Sequence, residues 1–113
     1  MPPSGFGPHN TPGIKDFLRS LTDDLYREIT RKKVTPRQGL IEEIVNIDND
    51  LRDIKRSPAA TAILQLVRAY YSNMAESMPK TADETVFFSA AAKHRVAIAN
   101  EILEIEVLES TSA

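Results

Sequence analysis

Apolar residues recur three and four positions apart along most of this chain, the spacing that gathers side chains on one face of an α-helix. Four such segments stand out, separated by proline-marked breaks. In the first, about residues 12–33, Ile14, Phe17, Leu18, Leu21, Leu25 and Ile29 share a face. In the second, about 36–56, Leu40, Ile44, Ile47, Leu51 and Ile54 alternate four and three apart, a coiled-coil-like seam that Ile41 and Val45 widen. The third, about 58–78, is apolar almost all round, with Thr61, Gln65, Arg68, Ser72 and Glu76 as a narrow polar stripe, and is expected to be the most buried. The fourth, about 82–109, runs from Val86, Phe87 and Phe88 to Ile105 and Val107.

The punctuation agrees with the periodicity. Thr11-Pro12, Thr35-Pro36 and Ser57-Pro58 each set a capping hydroxyl before a proline, and proline suits a first helical position because its missing N–H would have no partner there. Thr35 to Gln38 and Thr81 to Glu84 read as capping boxes, and Pro79 closes the third helix. Only Ser57 is left between helices two and three, which predicts a tight corner or a proline kink. Residues 103–107 alternate apolar and acidic, a strand signal, but the helical pattern enters them without a breaker and a helix is expected. The fold class is therefore all-α: an antiparallel four-helix bundle with a long C-terminal helix and a disordered N-terminal tail.

Composition narrows the function more than it identifies it. A chain of 113 residues holds one domain, here residues 12–109, preceded by a Pro/Gly-rich tail over 1–11 that is expected to be disordered and followed by a frayed end over 110–113. The absence of cysteine excludes disulfides, thiolate nucleophiles and zinc knuckles, and fits a cytoplasmic setting. A formal net charge of −2 argues against a dedicated nucleic-acid binder. No apolar run approaches the ~20 residues of a membrane span, and the first residues lack the basic-then-apolar order of a signal peptide.

Helix four departs from the pattern. At 1.5 Å per residue it would run roughly 42 Å against roughly 32 Å for the others, so its last turns would lack covering neighbours. Its apolar arc spans about half the circumference. Phe87, Ala91, Ile98, Ile102 and Ile105 take one edge; Phe88, Ala92, Val96, Ala99, Leu103 and Val107 take the other, with Arg95 between them. A charge inside an apolar arc is costly unless it lies at a seam or is paired. Two apolar faces meeting at that seam make Phe88, Ala92, Arg95, Val96, Ala99, Leu103 and Val107 the candidate interface. The alternative is a bundle core that demands a wide arc, with Arg95 reaching round to solvent.

Charge is segregated as well. Residues 1–37 carry seven Lys/Arg against four Asp/Glu, and residues 81–113 carry two against six. Arg27, Arg31, Lys32, Lys33 and Arg37 form a basic first corner that could hold phosphates, although no helix-turn-helix unit accompanies it. Catalytic chemistry is scarce. Asp48-Asn49-Asp50 lacks the glycine and closing glutamate of a calcium loop, His94 lacks a glutamate three positions before it, and no serine sits in a nucleophile elbow. His94 reads as a lone surface imidazole. Tyr70 and Tyr71 point in different directions, with core packing the default for both and an edge contact open to one. No metal or cofactor is expected. The sequence favours a non-catalytic interaction protein, self-associating as a homodimer or docking on a protein partner through helix four. A nucleic-acid-associated regulator using the basic corner, and a small helical enzyme or ligand carrier, are the alternatives.

Overall fold

The computed structural model describes the backbone of residues 12–112 and the side chains of residues 13–102. The tail expected over residues 1–11, the final residue, and the side chains of Leu103 and Val107 lie outside the described residues. Four α-helices follow one another: α1 (Pro12–Lys32), α2 (Pro36–Leu51), α3 (Pro58–Glu76) and α4 (Glu84–Ser112). Among the described residues there is no strand, and the 103–107 stretch is helical.

The caps explain most boundaries. Thr35 holds an extended backbone and its hydroxyl accepts from the Gln38 N–H at 3.1 Å, and Ser57 does the same for Ala60 at 3.2 Å. Pro36 and Pro58 then occupy first-turn positions. α1 closes in a Schellman arrangement, with Lys33 N–H on Thr30 C=O and Val34 N–H on Ile29 C=O, both at 3.3 Å. Lys33 pays for that turn with a left-handed backbone (φ 59°), a position glycine usually takes.

Two departures from the expected boundaries have a clear physical cause. α4 is capped by Asp83, whose carboxylate accepts from the Val86 N–H at 2.9 Å, and not by Thr81. Ala82 is buried and turns back onto Pro79 C=O, so Thr81 lies in the loop and the next good capping oxygen takes over. α2 ends at Leu51, five residues short of the expected 56. Asp53 diverts the chain: its side chain accepts from Lys55 N–H at 3.0 Å and its carbonyl from Arg56 N–H at 3.2 Å, an alternative to helical bonding that short acidic side chains favour. The α2–α3 link is thus a six-residue turn, and Ile54, expected in the seam, is 95% exposed on it.

The helices form an antiparallel bundle in which α1 packs on α2, α2 on α3, α3 on α4, and α4 back on α1. Leu18, Leu40, Tyr70, Met74 and Phe87 are fully buried at the centre. Tyr26 reaches the rings of Phe87 and Phe88 at centroid distances of 5.0 and 5.1 Å, tying α1 to α4. On the rim, the Arg68 guanidinium takes both oxygens of Asp48 at 2.5 and 3.3 Å, joining α3 to α2 and holding the Asp48 carboxyl below its usual range. The bidentate geometry makes this the best-formed inter-helix ion pair, though both side chains remain partly exposed.

At the first corner α2 presents Gly39 to α1 so closely that a Cβ there would overlap Cγ1 and Cδ1 of Ile29. Ile29 is itself buried, so it has little room to yield. Gly39→Ala is expected to cost about 1–3 kcal/mol in overpacking, less the ~1 kcal/mol alanine gains over glycine within a helix. Denaturant unfolding checks this, and Ile29→Val should cost less in the Gly39→Ala background than on its own.

Candidate interaction surfaces

α4 carries 29 residues against 21 in α1, the longest of its neighbours, which is roughly 12 Å more helix than any of them can flank. Its inner side buries Phe87, Ala91, Ile98 and Ala99. Its outer side exposes Ala92 and leaves Val96 47% exposed. Of the five expected interface positions whose side chains are described, Ala92 and Val96 are exposed and three turn inward. Ala99 is 2% exposed and belongs to the buried side of α4. Phe88 is half-buried, tilted against Tyr26 and edge-on to Phe87, so it is chiefly an internal contact. The exposed apolar line is therefore narrower than the sequence indicates and runs through Ala92 and Val96.

Arg95 has an internal partner. Its Nη1 donates to the Tyr70 hydroxyl at 3.2 Å. That hydroxyl also lies 2.8 Å from Thr22 Oγ1 and 3.2 Å from the Ala91 carbonyl, and Thr22 in turn donates to Leu18 C=O at 2.8 Å. Tyr70 has one proton to give. The two shortest separations align as a single direction of donation, from Arg95 through Tyr70 and Thr22 to Leu18, in which every hydroxyl both accepts and donates. This chain crosses the bundle from α4 through α3 to α1 and settles why a charge sits within an apolar arc. Burial raises the Tyr70 pKa, against the opposing pull of Thr22 and Arg95, and keeps the phenol protonated as this chain requires. Tyr71 is only 3% exposed, so neither tyrosine is left free at an edge; burial, with the nearby Glu43, holds the Tyr71 phenol protonated too.

The basic corner is interleaved with acids. Arg27 pairs with Asp24 at 2.8 Å, Arg31 with Glu28 at 2.7 Å and Lys32 with Glu42 at 3.6 Å, while Lys33 and Arg37 complete the cluster on the turn and on α2. Carboxylates this close weaken the local positive potential a phosphate backbone would meet.

A further pairing escaped the sequence. Ser77, the α3 C-cap, brings its Oγ to 3.1 Å from His94 Nε2 on α4. The same hydroxyl lies 3.1 and 3.2 Å from the Met74 and Asn73 carbonyls, which can only accept. Whichever tautomer the ring holds, this contact ties α3 to α4 through the imidazole. Partial burial, and secondarily Lys93, lowers the His94 pKa, so stability present above its unfolded value is lost as pH falls through the lower folded one. Among the described residues no group of three His, Cys, Asp or Glu side chains is placed to hold a metal, and no helix is long and apolar enough to cross a membrane. Comparison with protein-family models, curated proteins and solved structures finds no match for this chain.

Proposed function

We propose that the protein is a non-catalytic helical interaction module that self-associates through the outer line of α4. The observation that supports this is the length of α4, eight residues beyond α1, combined with exposed Ala92 and Val96 along one side of it. In the sequence Leu103 and Val107 continue the same line, and leaving such residues in water is unfavourable. Ala92 is small enough to let a second helix approach closely. A two-fold antiparallel pairing keeps the acidic stretches containing Glu101, Glu104, Glu106 and Glu109 at opposite ends, where like charges do not meet.

Light scattering after size exclusion, at two protein concentrations, tests the reading. The expected result is a dimer mass at the higher concentration. Val96→Glu should return the chain to monomer with its helicity intact, and Leu103→Glu with Val107→Glu should do the same. A monomer at both concentrations, or a dimer indifferent to these changes, overturns it.

A further inference from the structure

Away from α4, between α1, α2 and α3, lies an open groove of about 300 Å³. Its floor is the buried Leu25, Ile47, Val67 and Tyr71, and its lips are Phe17 on α1 and Ile63 on α3, 42% and 49% exposed. Four carboxylates edge it: Asp24 and Glu28 from α1, Glu43 and Asp50 from α2. α1 and α2 meet tightly at Gly39 and Ile29, and the wedge between them opens toward Phe17 and Asp50.

We propose that this groove binds an amphipathic helix of a partner protein, with apolar anchors on one face and lysines or arginines flanking them. The charge pattern selects the occupant. Asp24 and Glu28 each already hold an arginine of their own helix, but Glu43 and Asp50 make no ion pair among the described residues. Glu43 is half-buried, and burial raises its pKa, with Asp50 and Glu28 adding to the rise against the pull of Lys32. A half-buried carboxylate of this kind gains from an incoming cation, while the floor takes side chains spaced at i, i+4 and i+7. A second copy offering its own acidic C-terminal stretch would be repelled. The chain's first eleven residues contain no lysine or arginine and do not answer the charge. The groove shares no lining residue with α4, so the inference stands apart from dimerisation.

The test uses the full chain and a fluorescein-labelled helical peptide of about 18 residues, leucine at the helical-face positions and lysine elsewhere. Saturable binding that weakens with salt is expected, with amide shift changes at Leu25, Ile47 and Val67. Phe17→Ala with Ile63→Ala, both at exposed positions, should weaken it by about tenfold or more. Glu43→Lys with Asp50→Lys should weaken it further and remove the salt dependence. As a far-side control, Glu76→Lys with Glu101→Lys, exposed acids that do not line the groove, should leave it unchanged. Equal loss from the far-side reversal, shift changes confined to α4, or no saturable binding overturns the proposal. So does a groove whose amide shifts in the free chain move when residues 1–11 are removed, since the chain's own segment would then be the occupant.

Discussion

Phe87→Ala is expected to lower the stability of the bundle by about 3–5 kcal/mol, the largest loss of any single truncation considered. The ring is fully buried where α4 meets α1, with Tyr26 at 5.0 Å and Phe88 edge-on at 5.2 Å. Truncation removes the transfer energy of the ring and leaves a space that Tyr26 and Phe88, each fixed by the other, cannot collapse to fill. A domain of this size holds only about 5–15 kcal/mol in all, so the variant should sit near the edge of unfolding. Urea unfolding followed by circular dichroism measures the effect. The neighbouring Val86, 39% exposed, provides the contrast: Val86→Ala should change stability by no more than about 0.5 kcal/mol. Similar losses for the two would mean that α4 is seated in another rotation about its axis.

The second large effect concerns polar atoms. Tyr70→Phe keeps the packed ring and deletes the hydroxyl that links Arg95 to Thr22. Thr22 then loses its donor in a site where its own exposure is zero, and Arg95 must turn toward water. The expected cost is about 1–3 kcal/mol. Thr22→Val, close to isosteric, removes the other end of the chain. The double variant should cost less than the sum of the two, by at least about 0.5 kcal/mol, because the second change finds the link already broken. Additive costs in that cycle would show that the hydroxyls act separately.

Much of this architecture can be read from the sequence because it is written locally. Thr35-Pro36 and Ser57-Pro58 place helix starts through atoms three residues apart, and Leu18, Leu25 and Ile29 name their buried face by spacing alone. Ile54 misleads for the same reason. It stands at seam spacing from Ile47 and Leu51, and only the hydrogen bonds of Asp53 remove it from the helix. Thr22 leaves a trace, a hydroxyl four residues from Leu18 and three from Leu25 on an apolar stripe, but its partner lies 48 positions away on α3. The Ser77–His94 contact depends on how α3 and α4 turn at their corner, and the groove depends on how α1 and α2 diverge. Neither is a property of any one helix, so neither is visible in one helix's pattern. The outer line of α4 is legible, but its width is not. Ala99 and Phe88 are apolar residues near the boundary of the arc, and only the seating of the helix shows which side takes them.

Three of the four main interfaces, α1–α2, α2–α3 and α3–α4, join helices that are consecutive in the chain. Each can close across a short loop at small entropic cost, and only α4 docking on α1 must span the whole domain. Such a low-contact-order topology is expected to fold in about microseconds to milliseconds. The α2–α3 hairpin, joined by Asp48 and Arg68, is expected to form early, and α1–α4 docking to come late. Substitutions at the Tyr26–Phe87 contact should therefore appear mainly in the rate of unfolding, whereas those along α2–α3 should slow folding itself.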